Sequence, residues 1–206
     1  MATSSHKAGE PLPRDCAEDC HTCARLRRAA VEAGATFGIA ALGEEALAEA
    51  AGISVDAVRE HGPGSAAGWL AATYVGVAKD LQRNFAIDFA PARTWHDGVR
   101  WATEGLVRTL AEDPALARFC YVEVLNAGNG LRLIRERVRR DSIGLFEREY
   151  VARHGAEAVP HGRLELSCNV IIYAISEHAR EGRAAELPAA LDAMLVAAGG
   201  VLPTFN

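Results

Sequence analysis

Ala46-Leu47-Ala48-Glu49-Ala50-Ala51-Gly52-Ile53-Ser54-Val55-Asp56-Ala57-Val58 is the stretch that decides the fold of this chain. Leu47 and Val58 supply one core-facing residue on either side of a glycine-centred turn. Gly52 suits the left-handed end of a helix. Ile53 plugs the gap between two helices, and Ser54 is a helix N-cap. Two short helices joined in this way make a helix-turn-helix. The other reading of the same residues is an ordinary helical hairpin.

Working outward, Gly, Pro and capping residues divide the rest of the chain into helices. The first spans about Asp15 to Thr36 and stops at Gly38; the second and third run from about Gly43 to Ala51 and from Val55 to His61. Gly62-Pro63-Gly64 ends the third, and Ser65 caps a fourth from about Ala66 to Phe89. A fifth covers about Thr94 to Ala111; Asp113-Pro114 starts a sixth, to about Ala127; a seventh runs from Leu131 to His154. Pro160 begins an eighth, to about Glu181, and Pro188 a ninth, to about Leu202. Composition agrees. Alanine supplies 40 of 206 residues, and no strand-length window alternates apolar with polar residues. The expectation is an all-α protein of about nine helices, with a disordered tail over 1–14, a helix-turn-helix domain over 15–64 and a helical ligand-binding and dimerisation domain over 65–206.

A hydrophobic content of 50% is too high for a disordered chain. No run of about 18 uncharged apolar residues occurs and no secretory signal opens the sequence, so a cytoplasmic protein without membrane partners is expected. The net charge of −5 argues mildly against indiscriminate binding to nucleic acid.

From Arg25 to about Ala72 the sequence resembles the TetR family of transcriptional regulators. Gly38 stands where that family ends its first helix, Leu47-Ala48 matches its "IA" pair, and Ala51-Gly52-Ile53-Ser54 matches its "AGVS" turn. Gly62-Pro63 followed by Ser65 matches the short connection into helix four. The resemblance implies that the first three helices bind operator DNA and helices five to eight enclose a ligand. It also implies that helices eight and nine pair into a homodimer. The DNA-facing residues would be Arg25, Arg27, Arg28, Ser54, Val55, Asp56, Ala57, Arg59 and His61. Several positions depart from the family pattern. Leu42-Gly43 stand where a phosphate-touching Thr or Ser caps helix two, Val55 and Arg59 replace a Lys and a Tyr, Ser65 replaces a Lys, and Gly62 replaces an aromatic. Between Gly43 and Gly62 five acids meet one arginine, a net −4 on the surface that would face DNA. Two functional readings follow. One is a ligand-responsive DNA-binding repressor. The other is a TetR-like protein that has lost DNA binding and uses its N-terminal cysteines for metal or iron–sulfur binding, redox sensing or chemistry.

Those cysteines are Cys16, Cys20 and Cys23, at spacing C-x3-C-x2-C. On a continuous helix they share one face. Three thiolates could hold zinc, with His6 or a partner chain as fourth ligand. The spacing also resembles the iron–sulfur motif of radical S-adenosylmethionine enzymes, although this chain has no strands for their barrel. Redox switching and simple packing are the other readings.

Ligand-site candidates are the few aromatic and polar residues gathered on helices five to eight: Trp95, His96, Trp101, Phe119, Tyr121, Glu123, Asn126, Phe146, Asn169, Tyr173 and His178. They suit a small lipophilic or aromatic ligand. The seventh helix carries seven arginines against four acids, either a solvated ion-paired face or a site for an anionic ligand or partner. Leu164 to Ile175 is apolar nearly all round, as a buried dimerisation helix would be, together with Leu191, Met194 and Leu195. No catalytic motif is present, so an enzyme is not expected.

Overall fold

A computed structural model describes residues 20–39, 42–155 and 161–198. The expected tail over 1–14, His6, Cys16 and the side chains of Met194 and Leu195 lie outside what is described. The helices are α1 (His21–Phe37), α2 (Glu44–Ala51), α3 (Val55–His61), α4 (Ala66–Phe89), α5 (Trp95–Glu112), α6 (Pro114–Arg118), α7 (Val124–Asn126), α8 (Asn129–His154), α9 (His161–Arg180) and α10 (Leu187–Ala198). A π-helical turn, Phe119–Glu123, joins α6 to α7 without a break. Counting that rod once leaves nine helices among the described residues, all-α as expected. The expected seventh, eighth and ninth helices are α8, α9 and α10.

Local chemistry sets the boundaries. Gly52 ends α2 at φ 62° and ψ 41°, a conformation that only a residue without Cβ adopts cheaply. The Ile53 amide then reaches back to the Ala48 carbonyl at 3.0 Å, closing a Schellman turn. Ser54 Oγ accepts the Ala57 amide and Ser65 Oγ the Gly68 amide, capping α3 and α4. Asp113 accepts the Leu116 amide, with Pro114 as the first residue of α6. One boundary differs from expectation: α1 starts at His21, not near Asp15, and Cys20 is its extended N-cap at φ −67° and ψ 106°. Cys20 and Cys23 are therefore not related by simple helical spacing.

Three apolar clusters hold the bundle. The largest joins Leu26, Ala29 and Ala30 of α1, Leu47, Ala48 and Ala51 of α2, and Val58 of α3 to Trp69 of α4, Phe119, Val124 and Leu131. The helix-turn-helix thus shares one core with the helices behind it. A second cluster unites α5, α6, α9 and α10 through Val107, Leu110, Ile175, Leu187 and Leu191. A third, smaller one is built on Phe85, Phe89 and Ala102.

Candidate functional site

The helix-turn-helix presents α3 outward, with Ser54, Asp56, Arg59 and Glu60 exposed and Val55, Ala57 and His61 half-buried. Its arginines are all engaged within the chain. Arg25 donates to the carbonyls of Ala51 and Gly52, tying α1 to the α2–α3 turn. Arg27 lies 3.7 Å from Asp80 of α4. Arg28 pairs with Glu32 at 2.6 Å and also with Asp113. Arg59 donates to Glu44 at 2.8 Å and faces Asp56 at 3.5 Å. Both partners of Arg59 come from the same acidic surface, so the net −4 read from the sequence is laid out around the one cation of α3. Solvent-exposed pairs of this kind are weak tethers.

Behind the helix-turn-helix lies a cavity of about 300 Å³ lined by α4, α5, the π turn, α7, α8 and α9. Tyr74, Phe85, Leu106, Phe146 and Ile171 give it an apolar wall. Arg132, Arg135 and Arg139 of α8 line it together with Glu136. Arg139 is held by Glu136 at 2.8 Å and Glu165 at 2.9 Å, which keep its guanidinium firmly charged. Gln82 donates to Ser142 Oγ at 3.0 Å, one of few polar contacts inside. Burial pushes the phenols of Tyr74 and Tyr121 well above the ordinary tyrosine range, so both are neutral hydrogen-bond donors. A mostly apolar space with a few fixed polar groups and a cationic side is the profile of a site for an amphipathic small molecule.

Of the residues expected to bind ligand, the cavity brings together Tyr121 and Phe146. The others lie elsewhere. Trp95 packs edge-on against Tyr150 at 5.4 Å. Phe119 is fully buried against α1, and Glu123 is buried and paired with Arg118 at 2.9 Å. His178 is half-buried, 2.8 Å from the Ala174 carbonyl. His96, Trp101, Asn126, Asn169 and Tyr173 are exposed. Arg132, Arg135 and Arg139 belong to the arginines read as a solvated face or an anionic-ligand site. Sequence reasoning missed Ser142 of α8, and Tyr74, Leu81 and Phe85, which recur on one face of α4. That spacing is the signal that could have found them.

Cys120 and Cys168 also line the cavity. Burial raises both thiols, Cys168 to about 12 and Cys120 further. Since the thiolate is the nucleophile, alkylation of both at pH 8 is expected to run roughly a thousandfold or more slower in the folded protein than in urea. Mass spectrometry of timed iodoacetamide reactions measures this. Equal rates in the two states would show that the two thiols are not shielded from water.

At the other end of α1, Cys20 Sγ and Cys23 Sγ stand 3.7 and 3.6 Å from Nδ1 of His61, the last residue of α3. All three side chains are half-buried, and their donor atoms lie within 4.8 Å of one another. These residues could hold a metal; His61 was expected only at the DNA face.

No helix among the described residues is long and apolar enough to cross a membrane. No family model matches the chain, and no curated protein does. Solved structures do. The chain is similar to the fatty acid degradation regulator FadR from Bacillus halodurans, with 14% identity, TM-score 0.71, and 81% of this chain and 91% of that one covered. It is similar to the transcriptional regulator FadR from Bacillus subtilis in complex with stearoyl-CoA, with 15% identity, TM-score 0.71, and 84% and 95% covered. It is also similar to a TetR family transcription regulator from Marinobacter aquaeolei VT8, with 20% identity, TM-score 0.62, and 79% and 85% covered. What these proteins share with it at such identities is architecture, and the chain has the fold of the TetR-family transcriptional regulators.

Proposed function

We propose that the protein is a ligand-responsive DNA-binding transcriptional regulator, a repressor and not an enzyme, whose effector is an amphiphile with an acyl-like apolar part and an anionic head. The observation that carries this reading is the cavity itself, apolar along α4, α5 and α9 and cationic along α8. The stearoyl-CoA bound by the similar Bacillus subtilis regulator has the same division into apolar chain and anionic head. Phe119, packed on α1, is next in the chain to Cys120 and Tyr121, which line the cavity. Occupancy can thereby bias the position of the helix-turn-helix. The mechanism is a population shift: ligand favours the arrangement in which the two recognition helices no longer match the operator.

Homodimerisation through α9 and α10 belongs to the same proposal. Leu166, Val170 and Tyr173 form an outward apolar stripe on α9, 62%, 48% and 67% exposed. A second copy would cover it. A two-fold dimer would set two α3 helices about 34–36 Å apart, one turn of DNA.

The test has two arms. Isothermal titration with stearoyl-CoA is expected to show saturable binding, weakened about tenfold to a hundredfold in Arg132→Glu and Arg135→Glu, as for loss of hydrogen bonds to a charged group. Selection from genomic DNA at low and physiological salt is expected to enrich a palindrome, released on ligand addition. If binding is only weak, salt-sensitive and unselective, the DNA-binding part fails. The acidic, internally paired α3 surface would then mark a TetR-like protein that no longer reads DNA.

A further inference from the structure

We propose that Cys20, Cys23 and His61 form a zinc site that clamps the recognition helix α3 to the start of α1. The argument begins with donor chemistry. Two thiols and an imidazole are ligand types that zinc prefers, and with a water as fourth ligand they make a tetrahedral site.

Geometry is the second support. With Zn–S near 2.3 Å and Zn–N near 2.0–2.1 Å, a tetrahedral site sets sulfur and nitrogen about 3.6 Å apart and two sulfurs about 3.8 Å apart. The Cys20 and Cys23 sulfurs lie 3.7 and 3.6 Å from His61 Nδ1, the edge length such an ion requires. The three donor atoms lie within 4.8 Å of one another, so the sulfurs need to close by at most about 1 Å to reach the separation that one ion spans. Nδ1 is the nitrogen that faces the sulfurs, so it would be the ligating atom. Two thiolates would offset the charge of the ion.

The local backbone explains how these donors meet. Cys20 is the extended N-cap of α1, and Cys23 lies within the first turn of that helix. His61 closes α3 just before Gly62. The ligands thus come from the two ends of the helix-turn-helix and bracket all three of its helices. Cys20 and Cys23 are 41 and 38 residues from His61 in the chain, so an ion would close a long loop around this unit. Binding energy at such a site becomes folding energy of the unit it closes.

The site lies apart from the cavity and does not depend on the effector proposed above. Its test also needs no DNA. The full-length protein, reduced and stripped of metal under anaerobic conditions, would be titrated with zinc chloride and, separately, with cobalt chloride. The expected result is one tightly bound ion per chain, with cobalt giving the intense visible bands of a tetrahedral site and near-ultraviolet thiolate charge transfer. Zinc at a hundredfold excess over Kd should raise Tm by roughly 5–10 °C. Amide exchange across Val55–His61 should slow with it.

His61→Ala and Cys23→Ser should each weaken zinc by about a hundredfold or more, since losing even an outer-shell partner costs about tenfold to a hundredfold. His61 is half-exposed at a helix end, so His61→Ala should keep the fold and its circular dichroism. Cys168→Ala, which alters a cavity thiol outside the helix-turn-helix core, should leave zinc affinity unchanged. Zinc that does not bind, cobalt spectra without thiolate bands, or affinity unaffected by His61→Ala would each overturn the proposal. The first outcome would reduce the cluster to thiol–imidazole hydrogen bonds.

Discussion

Phe119→Ala lowers the unfolding free energy by about 3–5 kcal/mol, the range for truncating a fully buried phenylalanine. Phe119 is 0% exposed and belongs to the core that unites α1, α2, α3 and α4 with the π turn. Its ring lies so close to Gly34 of α1 that a Cβ there would sit 2.9 Å from it. Gly34 has no side chain with which to refill the space, and Leu42, which also borders Gly34, is itself buried. The void therefore stays, and the loss sits at the upper end of core truncations rather than the lower. Urea denaturation followed by circular dichroism measures it, with the midpoint falling and the m-value unchanged. A loss below about 1 kcal/mol would mean that α1 closes onto the π turn and that the two are not rigidly seated.

The second large effect is expected at Gly62. Its φ is −120°, which any residue adopts, so the glycine is not there for conformational freedom. It is there because Trp69 fills the space. A Cβ at position 62 would lie 2.0 Å from Trp69 Cζ2, and Trp69 is only 4% exposed. Gly62→Val is expected to cost about 3 kcal/mol or more, at the high end of overpacking. Trp69→Leu vacates the same space at its own cost, but in that background Gly62→Val should cost less than about 1 kcal/mol. Such a double-mutant cycle isolates the contact. Additive effects would show that the strain comes from another neighbour. The aromatic that the family pattern places before helix four is absent at position 62, and the indole of Trp69 occupies the space beside it.

The elements that the sequence predicts well are those written in local chemistry. Gly52, Ser54, Ser65 and Asp113-Pro114 each act through bonds to residues within a few positions, so their caps and turns can be read from neighbours alone. The cavity was less legible because aromatic character says nothing about direction. Trp95 and Tyr150 pack edge to face on each other, and Phe119 turns to α1, while the cavity wall is drawn mostly from one stripe each of α4, α8 and α9. Arg139 was visible as charge, but its pairing across to Glu165 of α9 depends on two helices meeting. His61 shows the limit most plainly. Only the crossing of α3 against α1 brings it to Cys20 and Cys23, and no spacing rule reaches over that distance.

The π turn at Phe119–Glu123 sets a phase relation. An α-helix advances about 100° per residue, and a π turn takes in one residue more than an α turn, so the faces beyond it are offset from those before it. Here that offset directs Phe119, Cys120 and Val124 to the core beneath the helix-turn-helix, while Ala117 and Val122 serve the core of α9 and α10. A chain one residue shorter in this rod would keep its composition, caps and helix count, yet its two cores would be out of step. The rod behaves as a meshed gear between two halves of the molecule, and its length is set to the single tooth.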